Sequence, residues 1–209
     1  VVIPQTEDPD AAPILFFPAL ADTMEREIAA KEEESLLHDM EMPLARVLAD
    51  MEADGFAVDG EGIAAFGAVL QDRIDDIQRQ ITEAVGYSFN LNSPKQLAKA
   101  LFEDLGLPAK KKTKSGYSTN AEVLESLRDA HPAVGMLLDY RMLSKLKSTY
   151  CDGLLKVIGP DGRIHSSFNQ TETRTGRISS TEPNLQNIPV RQELGRELRR
   201  FFRAREGWV

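Results

Sequence analysis

The residues best suited to chemistry lie in one stretch, Ser167 to Arg191, which reads SFNQTETRTGRISSTEPNLQNIPVR. Arginines, hydroxyls and side-chain amides crowd together there with hardly an apolar residue between them, so the stretch is expected to face a ligand. Guanidinium groups donate to base-edge acceptors and phosphates, Asn and Gln donate and accept at base edges, and Ser and Thr hydroxyls hold phosphate oxygens. In a minor groove every base pair shows purine N3 or pyrimidine O2 at nearly the same place whatever its sequence. A rigid arginine reaching that acceptor tests pair geometry without reading sequence, which suits the copying of a template. The plainer reading of Arg177 is a surface arginine bridging Glu172 or Glu182.

Other chemistry finds little support. One cysteine, Cys151, and three scattered histidines give no zinc-ligand spacing. Cys151 is expected to be a buried small hydrophobe. Asp152, Asp161 and the acidic N-terminal run offer no two carboxylates at supporting spacing, so no metal site is expected. The net charge of −8 is unevenly spread: residues 1 to 62 hold 16 acids and 3 bases, whereas the remaining 147 hold 17 acids and 22 bases. A polyanion would avoid the first part and tolerate the second, although a solvated acidic face beside an ordinary basic one has the same composition. No window reaches the 18 or so uninterrupted apolar residues of a membrane helix, and no secretory leader is visible. The cytoplasm is therefore the default compartment, with no membrane partner, and nothing calls for an oligomer. The chain opens on Val1 and stops at Val209 straight after Gly207 and Trp208, which reads as a segment of a longer protein.

The elements that must position these groups are mostly helical. Residues 1 to 22, with four prolines, read as an irregular or extended arm. From about Ser35 to Asp54, the residues Leu37, Met40, Leu44, Val47, Leu48 and Met51 recur at helical spacing, with Pro43 as a kink or break and Gly55 as a stop. Asp59 caps a longer helix in which Ile63, Phe66, Leu70, Ile74, Ile77, Ile81 and Val85 step by threes and fours to Gly86; at 1.5 Å per residue it spans about 39 Å. Ser93, Pro94 and Gln96 form a capping box for a short helix to Leu105, and Thr119 with Glu122 forms a second. Lys110 to Gly116 reads as a mobile cationic loop. Pro132 opens a helix through Leu137, Leu138, Leu146 and Tyr150 to about Leu155. At Gly159-Pro160-Asp161-Gly162 a turn announces the first strands, Ile178 to Pro189 reads as extended chain or loop, and Leu194 to Phe202 as a short helix or a helical turn. The fold class is α+β, mostly α: long antiparallel helices followed by a small antiparallel sheet.

TGRISSTEPNLQNIP, followed by Val190-Arg191, resembles the palm signature of bacterial family A DNA polymerases. The run LSKLKSTY from Leu143 to Tyr150, FNLNSPKQLAKALFEDLGLP from Phe89 to Pro108, and EMPLARVLADMEADGFAVD from Glu41 to Asp59 extend the resemblance over about residues 36 to 209, in the family's order. The resemblance implies that residues 1–34 are the tail of a preceding exonuclease-like domain or a linker. It implies a helix at the palm and thumb base over 35–58, a thumb over 59–155 and the start of the palm over 156–209. Arg177 then reaches the minor groove at the primer terminus. Gln186 and Asn187, with Asn184 beside them, contact the newly formed duplex, and Arg191 lies near the template strand and the incoming nucleotide. Arg141, Lys145, Lys147, Ser148 and Thr149 hold the duplex backbone, while Asn90, Asn92, Ser93 and the 110–119 loop form the thumb tip.

The partners implied are a primer–template duplex and dNTP, and the activity is nucleotidyl transfer in DNA replication or repair by a bacterial, nucleoid-associated enzyme. Its Mg²⁺ ions are held in the family by aspartates beyond the segment matching Arg199 to Val209, so the cofactor belongs to the complete polymerase. None of the residues named is a chemical group in the reaction, and this segment is expected to be inactive alone. The alternative is a stand-alone helical DNA-binding module without polymerase activity.

Overall fold

A computed structural model of the chain describes residues 14–109, 112–113, 116–189, 193–204 and 207. Helices with small two-stranded antiparallel sheets make up the fold, as the apolar periodicity leads one to expect. Two compact units form, one from Val1–Asp54 with Ser167–Thr181, the other from Gly55–Ser166 with Glu182–Val209. No helix among the described residues is long and apolar enough to cross a membrane.

The larger unit is built on α3 (Gly60–Val85), which starts and stops where its sequence says. Asp59 Oδ1 accepts the Gly62 N–H at 3.0 Å, satisfying one of the orphan donors of the first turn. At the other end Gly86 adopts φ +90°, a left-handed conformation that costs glycine little, and returns its N–H to the Thr82 carbonyl. Ile63, Leu70, Ile74 and Ile81 are buried, with Phe66, Ile77 and Val85 packed beside them. Each fully buried aliphatic side chain contributes roughly 1.5–3 kcal/mol relative to exposure.

Their partner is one continuous rod: α6 (Pro132–Lys145), a π-helical segment Leu146–Cys151, and α7 (Asp152–Leu155). Val134, Leu137, Leu143, Leu146, Cys151 and Leu154 face the same core. A Cβ on Gly67, early in α3, would lie 3.4 Å from the Cβ of Cys151, late in the rod. The start of α3 therefore lies beside the end of the rod, and the two run antiparallel. Burial makes Cys151 the small hydrophobe expected and pushes its thiol up to about 11, with Asp152 adding to the rise. The rod ends in a turn in which Gly162 N–H reaches the Gly159 carbonyl. A strand precedes the expected ones: β1 (Phe56–Ala57) pairs antiparallel with β4 (Arg163–Ile164). A two-residue strand set between a glycine stop and a helix cap is too short to show an alternating pattern.

At the far end of α3, α4 (Pro94–Ala98) runs into a π-helical segment, Lys99–Asp104. Ser93 Oγ accepts the Gln96 N–H at 3.4 Å, but the box is not closed as expected, because Gln96 Oε1 takes the N–H of Asn90 instead, at 2.9 Å. The second box does not form: Asn120, not Thr119, caps α5 (Ala121–Glu125) by accepting the Val123 N–H, and the third helical residue is then Val123, which has no side-chain acceptor to return. In the lysine loop, β2 (Lys112–Thr113) pairs with β3 (Gly116–Tyr117), so these residues form a short ribbon where a patternless loop was expected. The Tyr117 ring anchors it on Phe102, 5.2 Å between centroids. Lys110, Lys111 and Lys114 lie outside the described residues.

In the smaller unit residues 14–22 of the expected arm are helical, while residues 1–13 lie outside the described residues. A 3₁₀ turn at Ile14–Phe16 leads into α1 (Phe17–Ala30). Pro18 sits in its first turn, where a missing N–H costs nothing. Nor does Pro43 break the next helix. A π-helical segment, Leu36–Glu41, precedes α2 (Met42–Asp54), with the Met42 N–H bonded to the Leu37 carbonyl, so the wider turn absorbs the donor that proline lacks. Of the expected stripe only Leu48 is buried; Met40, Val47 and Met51 are exposed. The unit's remaining elements are β5 (Ser167–Asn169) and β6 (Ser179–Thr181), paired antiparallel with Phe168 opposite Ser180. In the larger unit, α8 (Glu193–Arg199) is the short helix expected near the end.

Candidate nucleic-acid interface

The β5–β6 ribbon presents the arginine-rich connection at residues 170–178. Gly176 takes φ +72° and the Thr173 hydroxyl donates to the Arg177 carbonyl, which closes the turn upon itself. Arg177 is exposed. Among the described residues of its own unit its guanidinium has no hydrogen-bond or ion-pair partner, and Glu172 does not bridge to it. A guanidinium held on a short closed loop, with its donors unspent, is available to an acceptor from outside.

Within the larger unit, the 143–150 block and the amide turn meet. Lys145, Thr149, Tyr150, Leu154, Pro183, Asn184 and Asn187 line a cleft of about 540 Å³. Asn184 Oδ1 accepts the N–H groups of Gln186 at 3.1 Å and Asn187 at 3.2 Å, an Asx-type turn that holds this segment without a helix or strand. The Tyr150 hydroxyl donates to the Asn187 carbonyl, and Ser166 Oγ donates to the Pro183 carbonyl at 2.8 Å. Asn184, Gln186 and Asn187 are exposed. The cleft thus sets an ammonium and a hydroxyl beside side-chain amides, a set able to meet phosphate and sugar oxygens.

Not every residue singled out from the sequence faces outward. Lys145, Ser148 and Thr149 are exposed. Lys147, by contrast, is 22% exposed and pairs with Asp152 at 2.8 Å. Arg141 turns inward: its guanidinium donates to the carbonyl and hydroxyl of buried Thr119, and burial lowers its pKa. Asn90 Oδ1 accepts the Asn92 N–H, Asn92 Nδ2 donates to the Tyr140 hydroxyl at 3.3 Å, and Ser93 is the helix cap. These three shape the end of the helical unit through their own side chains. Arg191 lies outside the described residues.

Four contributors were not found from the sequence. Glu41, Glu52, Tyr150 and Thr119 act through partners 22 to 129 residues away, and no local pattern announces such pairs. No group of three or more His, Cys, Asp or Glu side chains among the described residues could hold a metal ion.

Residues 61–209, which hold the long helices and the arginine and amide groups, match the family model for DNA polymerase family A. The chain belongs to this family. It is 50% identical over 185 residues to DNA polymerase I of Geobacillus stearothermophilus, covering 88% of this chain and 21% of that protein. Against DNA polymerase I of Bacillus subtilis (strain 168), identity is 47% over 189 residues, covering 90% and 22%. The POL domain of Pol1 from M. smegmatis, solved in complex with DNA primer-template and dNTP, superposes with a TM-score of 0.83 at 45% identity, covering 95% of this chain and 34% of that one. The chain spans about a fifth of the length of these curated relatives.

Proposed function

We propose that this chain is the part of a template-directed DNA polymerase that grips the primer–template duplex and contacts the primer terminus in the minor groove. Residues 59–155 serve as the thumb, 156–209 as the start of the palm, 35–58 as the helix at their base, and 1–34 as the tail of a preceding exonuclease-like domain or a linker. The observation that carries the reading is Arg177, exposed on a closed loop and without a partner among the described residues of its own unit. Asn184, Gln186 and Asn187 meet sugars and base edges of the new duplex. Lys145, Ser148 and Thr149 meet its backbone, and Asn90, Asn92 and Ser93 bring the tip of the thumb to the minor groove. Arg141 and Lys147 act differently from the outward residues. Arg141 fixes the Thr119 turn, and Lys147, tied to Asp152, adds to the local field more than it reaches for a phosphate.

Mg²⁺ is the cofactor of the complete enzyme, which works with dNTP in the bacterial cytoplasm. The side chains of this segment do not fit the ion, since no ligand cluster exists among the described residues. They bind and orient the duplex. Binding by the purified 209-residue chain, followed by anisotropy, tests the reading. With four or five phosphates neutralised, log K is expected to fall against log[salt] with a slope of roughly −4, alike for all base sequences. Salt-independent or strongly sequence-dependent affinity would overturn the backbone grip, and primer extension by this chain alone would overturn the assignment of the chemistry to other segments.

A further inference from the structure

We propose that Glu41 and Glu52 are positioning residues for Arg177, holding the β5–β6 ribbon so that its loop presents the guanidinium at a fixed place. This inference rests on the reading of Arg177 given above. An isolated two-stranded ribbon is at best marginally stable in water, and this one has three residues in each strand. A ribbon left to itself would let its connection wander, which is incompatible with a guanidinium that tests base-pair geometry.

The structure supplies the missing restraint from α2 and the turn before it. Along an antiparallel strand, alternate residues direct their N–H away from the partner. On β5 the outward donor is Phe168, and the Glu52 carboxylate accepts it at 2.5 Å. Gln170, the first residue of the connection, donates through Nε2 to Glu41 Oε2 at 2.6 Å and to the Glu41 carbonyl at 3.1 Å. Glu41 and Glu52 are about three helical turns apart, hence on one face of the helical rod, and they grip the strand at two points. Between those points Asn169 Nδ2 donates to Thr181 Oγ1 at 3.3 Å, tying β5 to β6. At the far end the Thr173 hydroxyl holds the Arg177 carbonyl. Hydrogen bonds therefore fix the ribbon to the helix at one end and close its loop on the backbone of Arg177 at the other, with three covalent steps from Gln170 to Thr173 between them. Both carboxylates come from the most acidic part of the chain, yet each is directed onto an amide donor of the ribbon. Hydrogen bonds to charged acceptors are about twice as strong as neutral ones, which suits a clamp.

The test uses the complete polymerase that contains this chain, with Glu52→Ala, Glu52→Gln and Gln170→Ala introduced singly. Gln at 52 keeps an acceptor oxygen and is expected to rescue most of the effect; Gln170→Ala removes the second grip without touching α2, should Glu52→Ala fold poorly. Two readouts are needed. Hydrogen exchange of the Phe168 amide and the 170–178 peptide is expected to rise about tenfold in Glu52→Ala, with α3 unchanged. In single-turnover incorporation, replacing the primer-terminal purine N3 by carbon is expected to slow the wild type by about tenfold or more and to slow Glu52→Ala distinctly less, because a displaced Arg177 no longer uses that acceptor. Unchanged exchange, or an undiminished N3 penalty in Glu52→Ala, would overturn the proposal. Absence of any N3 penalty in the wild type would sink the reading of Arg177 itself, and the exchange data would still decide whether the clamp exists.

Discussion

The hydroxyl of Tyr150 donates its hydrogen bond to the main-chain carbonyl of Asn187, so a helical residue holds the amide turn against the cleft. Tyr150→Phe deletes the donor and keeps the ring. Thermal or chemical denaturation of the chain is expected to show a loss of about 0.5–1.5 kcal/mol. In the complete polymerase, duplex affinity is expected to fall with it, because the turn carrying Gln186 loses its tether. Unchanged stability would mean that the bond is replaced by water at no cost.

Lys145 and Lys147 are two residues apart but differently placed, one exposed in the cleft and the other paired with Asp152 at 2.8 Å. In duplex-binding titrations Lys145→Ala is expected to weaken all sequences alike and to flatten the salt slope by about 0.9, the value for one phosphate. Lys147→Ala is expected to flatten it less. Equal flattening would show that Asp152 does not hold Lys147 back.

Leu70 is fully buried on α3 and its neighbour Val69 is 50% exposed. Leu70→Ala is expected to cost about 2–5 kcal/mol through lost burial and a residual cavity. Val69→Ala is expected to stay within about 0.5 kcal/mol. Urea denaturation measures both, and comparable losses would contradict the assignment of the inner face.

Asp104 receives the Lys99 ammonium on both oxygens at 2.8 Å and the Tyr87 hydroxyl on one. The hydrogen bond from Lys99, then that from Tyr87, holds its carboxyl below the ordinary 3.8. A carboxyl whose pKa falls on folding stabilises the fold above its unfolded value, and that contribution is lost as pH falls through the lower folded value. The stability gap between wild type and Asp104→Asn is therefore expected to be present near neutral pH and to close below about 3.8. Salt is expected to narrow it, since the group is on the surface. A gap that widens on acidification would contradict the pairing.

What could be read from the sequence was what neighbouring residues decide. Asp59 and Gly86 bound α3 because capping and left-handed glycine act within one turn. The stripe from Ile63 to Ile81 found its core because a long helix can bury only one face. The same logic missed Phe17–Ala30, where prolines drew attention from a helix that buries nothing within its own unit. It placed a cap on Thr119 one residue early, since Thr and Asn are both good caps and the choice fell to Arg141, 22 residues away. In the candidate interface, residue types showed which side chains could meet a duplex but not which were already engaged. Arg141, Lys147 and Asn92 find partners inside the chain; those of Arg141 and Asn92 lie 22 and 48 residues away, where only the fold brings them near, whereas Asp152 meets Lys147 along the same helical rod.

The central claim is that the guanidinium of Arg177 donates to the minor-groove acceptor of the primer-terminal pair. It is tested most directly by single-turnover incorporation in the complete polymerase, with wild type and Arg177→Ala each on a normal primer and on one whose terminal purine N3 is carbon. A charge-assisted hydrogen bond of about 1.5–3 kcal/mol corresponds to a slowing of roughly 10- to 100-fold for either change alone. If both remove the same bond, the double change is expected to be little slower than either single one. Fully additive losses would contradict the claim and leave Arg177 as a surface arginine that never reaches that acceptor.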